Sequence, residues 1–123
     1  MEINEITGSV IDAAMKVHTH LGPGLLESAY QTCLAFELED RGIPFELEVP
    51  LDISYAGRQV YSAYRLDMVV KNRVIVELKA IEKTLPVHEA QLISYLKLSG
   101  LKVGLMNNFH EKHLKDGITR RIL

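Results

Sequence analysis

Residues 66–80 read LDMVVKNRVIVELKA, and the pairing of this stretch decides the fold. Val69, Val70, Val74, Ile75 and Val76 are β-branched and suit two largely buried strands, with Lys71, Asn72 and Arg73 at the turn between them. Three charges interrupt this apolar hairpin: Asp67, Glu77 and Lys79. Side chains alternate faces along a strand, so Glu77 and Lys79 share a face. The place of Asp67 depends on the parity of the loop. A two-residue loop at 71–72 sets Asp67 opposite Val76 and on the other face from Glu77. A three-residue loop at 71–73 pairs Val70 with Val74 and sets Asp67 beside Glu77. The odd-length loop is expected, with Asn72 or Arg73 left-handed or bulged.

Two carboxylates side by side in a dry sheet repel each other and are costly to bury without compensation. A hard divalent cation would compensate them. Mg²⁺ takes oxygen ligands and keeps several waters, so two carboxylates and a backbone carbonyl would make an open site for it. Lys79 would then steady a metal-bound hydroxide or the charge on a pentavalent phosphorus. The plainer reading of the same residues is a half-exposed sheet face carrying a cross-strand ion network.

Composition sets the outer limits. A chain of 123 residues has room for one domain, residues 1–123, with one modest core. Its hydrophobic content of 47% and charged content of 24% suit a globular protein. No run approaches the roughly 20 apolar residues of a membrane span, and the opening MEINEITG does not read as a secretory signal. Cys33 is the only cysteine, which excludes an intrachain disulfide and fits a cytoplasmic setting. The net charge of −2 is unevenly spread. Residues 1–64 hold 3 Lys and Arg against 10 Asp and Glu, and residues 65–123 hold 11 against 6. The half with the charged hairpin is therefore the basic one, which leaves room for a phosphate-attracting surface.

Residues 4–21 have helical spacing, with Asn4 as the cap and Ile6, Val10, Ile11, Ala14, Val17, His18 and Leu21 facing inward. His18 and His20 would lie on different faces, so His18 reads as a packed or capping histidine rather than a ligand. A second helix is expected over 25–41, ended by Gly42, with Glu27 in its first turn and Tyr30 one turn on. From Phe45 the period becomes two. Phe45, Leu47, Val49, Leu51, Ile53 and Tyr55 predict a strand buried on one side, and Pro50 demands an edge or a bulge. The chain returns over 58–70, completing a three-stranded antiparallel meander across 45–80. Pro86 starts a helix over 87–99, stopped by Gly100, with Gln91 and Tyr95 on one face. Residues 101–108 then predict a strand parallel to its neighbour, reached by a right-handed crossover, and 117–123 an added edge strand. His110 and His113 lack a third ligand, so zinc is not expected.

The order α-α-β-β-β-α-β with a final edge strand, and the spacing Asp67…Glu77-Leu78-Lys79, resemble the PD-(D/E)xK nuclease superfamily. Residues 24–30, GLLESAY, read GxxExxY, the signature of a small protein family placed in that superfamily. Residues 91–95, QLISY, resemble the QxxxY motif that follows the catalytic lysine in related exonucleases. The likeness runs from about residue 5 to 120. One departure is Leu66, which stands where the motif name has proline.

The resemblance implies a mixed α/β fold with a restriction-endonuclease-like core. It implies Asp67, Glu77 and Lys79 as catalytic residues. It implies Mg²⁺ (or Mn²⁺) held by Asp67, Glu77 and the Leu78 carbonyl, with Glu27 as an extra acidic ligand. Gln91, Tyr95 and Tyr30 would position substrate. The activity implied is metal-dependent hydrolysis of phosphodiester bonds in nucleic acid, DNA foremost. The competing expectation is an inactive module of the same fold that binds nucleic acid or a protein partner. Either form could pair as a homodimer through an apolar sheet edge.

Overall fold

The computed structural model describes residues 1–123. Helices α1 (Ile3–Leu21) and α2 (Glu27–Asp40) precede strands β1 (Phe45–Tyr55), β2 (Arg58–Val70) and β3 (Val74–Lys79). Helix α3 (Pro86–Ser99), strand β4 (Val103–Asn108), a short 3₁₀ turn (Leu114–Gly117) and strand β5 (Ile118–Ile122) complete the chain. The five strands form one sheet in the order β1-β2-β3-β4-β5. Every pairing is antiparallel except β3 with β4, which α3 connects in parallel. No helix is long and apolar enough to cross a membrane.

The central hairpin takes the odd-length loop. Val70 lies opposite Val74, Val69 opposite Ile75 and Met68 opposite Val76. The left-handed residues are Lys71 and Asn72, at φ 52° and 55°; Arg73, the other candidate, has ordinary φ and donates its N–H to the Val70 carbonyl at 3.0 Å. Two consecutive left-handed residues match the strands' twist, and Arg73 becomes the extra residue that sets the parity.

The sheet is covered on both sides. α1 and α2 pack on one face through Ile6, Val10, Ala14, Val17, Leu34 and Leu38, meeting Met68, Val70, Val76 and Leu105. α3 covers part of the other face, where Leu92 and Leu96 meet Ile75, Leu66 and Met106. Each fully buried Val, Leu, Ile or Met side chain among these contributes about 1.5–3 kcal/mol relative to exposure. Gly104 sets how closely α3 approaches, because a Cβ there would lie 2.7 Å from Leu92 Cδ1. Glu2, not Asn4, precedes the first helix, and Glu2 N–H donates to the Glu5 carboxylate at 3.3 Å. Asn4 lies inside α1 and accepts from Arg120 at 2.9 Å. His18 is packed, with Nε2 2.8 Å from the Glu111 carbonyl.

Strand β1 departs from the one-sided burial expected of it. Only Leu51 is buried, while Leu47 and Tyr55 are exposed. Glu48 has φ 52° and stands where β1 changes faces between Leu47↔Met68 and Val49↔Leu66, while the register itself shifts only between Leu51 and Ile53. Phe45 therefore packs with the α1–α2 cluster, but Val49 and Leu51 pack with the α3 cluster. Beyond them β1 and β2 run past the core. β1 is an edge strand, as Pro50 requires.

Candidate functional site

Asp67, Glu77 and Lys79 come together where β2 and β3 part. The last regular pair is Met68↔Val76. One residue further the two carboxylates replace backbone acceptors. Asp67 N–H donates to Glu77 Oε1 at 3.1 Å, and Leu78 N–H donates to Asp67 Oδ2 at 2.9 Å. Each acid thus holds the other strand in register. Glu77 and Lys79 follow Ile75 by two and four residues, so all three lie on the α3 face.

Glu77 is only 6% exposed. Burial, then the charge of Asp67 beside it, then a hydrogen bond between the two carboxyls push its pKa up to about 8. The Asp67 N–H and the charge of Lys79 pull the other way more weakly. The half-buried Lys79 forms no ion pair with either acid, so its ammonium group is free to meet another anion.

Tyr95, one face of α3, looks down on the pair. Burial raises its pKa, with further contributions from the charges of Glu77, Tyr64 and Asp67, so the phenol stays protonated and able to donate. Its ring packs against Tyr64 of β2 at 5.4 Å between centroids. Gln91 stands one turn earlier, exposed to solvent and without a hydrogen bond to the protein.

Glu27 reaches the same end of β3 from the opposite face. It is the first residue of α2, and its Oε1 accepts the N–H of Ala80 at 3.3 Å. It does not join Asp67 and Glu77 in one cluster: no three His, Cys, Asp or Glu side chains stand at metal-ligand spacing. The expected convergence of three acids is thus corrected to a pair plus a neighbour that holds the backbone after Lys79.

Tyr30, expected to position substrate, is corrected more fully. It is completely buried. Its hydroxyl donates to the Gly22 carbonyl at 2.6 Å and accepts Leu25 N–H at 3.1 Å, while its ring stacks on Phe109 at 4.5 Å. Tyr30 pins the loop that delivers Glu27 and does not face the site.

Asn108 was missed by the sequence reading. It is fully buried; its amide donates to the Ile81 carbonyl at 2.9 Å and accepts Ile81 N–H at 3.2 Å. This clamp, with Phe109 N–H on the Lys79 carbonyl at 2.8 Å, fixes the segment leaving the site. An asparagine pair closing the apolar run LKVGLMNN was the available signal.

The donor set can be matched to an ion. Leu78 presents its N–H to Asp67, and a strand residue projects its carbonyl to the same side. Two carboxylates and one carbonyl fit a small hard cation that keeps most of its waters, the ordinary way Mg²⁺ is held. They do not make a closed cage.

A protein-family model described as the PD-(D/E)XK nuclease superfamily matches residues 4–121. No curated protein and no solved structure matches the chain significantly. The five-stranded mixed sheet flanked by three helices is consistent with a restriction-endonuclease-like core. Matched along nearly all its length, the chain belongs to the PD-(D/E)XK nuclease superfamily.

Proposed function

We propose that this chain is a nuclease that hydrolyses phosphodiester bonds, DNA foremost, with Mg²⁺ or Mn²⁺ held by Asp67, Glu77 and the Leu78 carbonyl. The observation that carries this reading is the interlocked acid pair, with Glu77 buried beside Asp67 where two like charges need a compensating cation. The cation would supply Lewis acidity and a more acidic water.

The chain's own groups divide the remaining work. Glu77 would have to be deprotonated to hold the cation, so metal affinity would rise with pH. The unpaired ammonium of Lys79 lies two residues along the same face, suited to the charge that grows on the phosphoryl oxygens. Tyr95 offers a protonated hydroxyl above the pair, and Gln91 an amide one turn away, to orient the phosphate. Glu27 acts from the end of β3 through water or through the Ala80 backbone it holds. The GxxExxY stretch fits this division, because Tyr30 anchors the loop that places Glu27.

The test is calorimetric titration of Mg²⁺ and Mn²⁺ into the wild type and Asp67→Asn, paired with cleavage of end-labelled DNA. The wild type is expected to bind and cut. Asp67→Asn is expected to lose binding and at least about 10²–10³-fold in rate. Equal or absent metal binding in both proteins would overturn the metal site. DNA bound but never cut across divalent metals would make the chain a binding module.

A further inference from the structure

The outer part of the β1–β2 hairpin serves no core. Residues 52–65 are nearly all exposed, although they include Tyr55 at 74%, Tyr61 at 75%, Tyr64 at 45% and Val60 at 43% exposure. A marginal two-stranded arm gains nothing in stability from aromatic rings left in water.

The arm has two unlike faces. Opposed residues in an antiparallel pair point the same way. Leu51 pairs with Tyr64, Ile53 with Val60 and Tyr55 with Arg58. Leu51 lies under α3 and Tyr64 packs on Tyr95, so this face continues the one that holds Asp67 and Glu77. Between the pairs β2 carries two more residues than β1, with Ser62 at φ 51°, but β1 has no left-handed residue from Leu51 to Tyr55, so Leu51, Ile53 and Tyr55 stay on one face and Val60 and Arg58 pair onto it. The Asp52 carboxylate is on the other side, tied to Ser62 N–H at 2.7 Å. The site-side face of the arm is therefore aromatic and aliphatic, with the cation Arg58 and no carboxylate. Tyr61 follows Val60 and faces away.

We propose that this face of the β1–β2 arm grips single-stranded nucleic acid, stacking bases on Tyr55 and Tyr64 with Arg58 on the backbone, and leads the strand to the acid pair. The inference rests on the nuclease reading for where the strand ends. Three observations favour this occupant. The face is continuous with the candidate site, through the Tyr64–Tyr95 contact. Its only charge is positive, opposite in sign to a phosphate backbone. Its exposed rings suit the stacking of unpaired bases, whereas duplex binding draws on many phosphate contacts that one arginine does not supply.

Fluorescence anisotropy of the full chain in EDTA, with a labelled oligothymidylate and a blunt duplex as probes, tests the grip. The single strand is expected to bind more tightly than the duplex. Tyr55→Ala should weaken the single strand about tenfold. Tyr55→Phe should retain affinity, and Tyr61→Ala, on the opposite face, should change nothing. In Mg²⁺, Tyr55→Ala should raise KM and leave kcat alone. Equal single-strand affinity in wild type and Tyr55→Ala, a preference for duplex, or a dimer that Tyr55→Ala converts to monomer would each overturn the grip. Tyr55-dependent binding without cleavage in any divalent metal keeps the grip and removes the nuclease reading. Cleavage with KM unchanged by Tyr55→Ala keeps the nuclease reading and removes the grip.

Discussion

The two faces of the sheet do different work with the same strands. The face under α1 and α2 buries a cluster of 19 residues, and the face under α3 only 7. On the larger face every position of β3 is apolar: Val74, Val76 and Leu78. On the smaller face the same strand carries Ile75 and then Glu77 and Lys79. The difference teaches that strand alternation separates the apolar positions from the charged ones, and that helix cover decides which face stays open. One helix, covering part of its face, leaves the end of β3 open enough for an acid pair that a fully covered face would not tolerate. Two of the five tyrosines divide the same way. Tyr30 is sealed in the large core, while Tyr95 overlooks the carboxylates.

Substitutions can break or sharpen this contrast. The largest stability effect belongs on the crowded face. Leu34→Ala should cost about 2–5 kcal/mol in urea denaturation. Leu92→Ala, in the smaller cluster where neighbours can relax, should fall at the low end of that range. The reverse order would deny that the α1–α2 face carries the fold.

Next comes the pH response of the other face. With Glu77 raised from 4.5 to about 8, the folded chain holds a proton that the unfolded chain has released across that window. Stability of the metal-free protein should therefore fall as pH rises through it, by on the order of a few kcal/mol, and level off above. Glu77→Gln should flatten the profile and be the more stable protein at pH 9 in EDTA. A wild type that gains stability over the same range would place the carboxylate in a solvated setting after all.

The smallest effect tests how the two faces communicate. Tyr30→Phe removes one hydroxyl that bridges Gly22 and Leu25, and should cost about 1–2 kcal/mol. Because the loop it pins delivers Glu27, the rate in Mg²⁺ should fall modestly while metal binding persists. A stability loss with an unchanged rate would confine Tyr30 to packing.

Much of this was legible in the chain. Helical spacing, the stops at Gly42 and Gly100, Pro86 at the head of α3 and the β-branched runs are local signals, and each element formed within two residues of its expected place. The Asp67–Glu77 pairing was legible too, because it depends on one integer, the loop length at 71–73. Two things were not. Tyr30 carries the same hydroxyl whether it faces substrate or a loop carbonyl, and spacing does not distinguish them. The alternation of β1 reads as a buried strand, yet half of it passes beyond the core.

From the sequence alone came the elements, their order and the strand register that sets two acids and a lysine on one face. These follow from steric preferences and periodicities that act between neighbours in the chain. Tertiary structure decided how far each side chain is from water, and hence that burial raises the Glu77 pKa, that Glu27 holds the Ala80 N–H with its carboxylate, and that a tyrosine-bearing arm stands free beside the site. Burial depends on which distant segments arrive to cover a residue, and beyond Leu51 none arrives to cover β1.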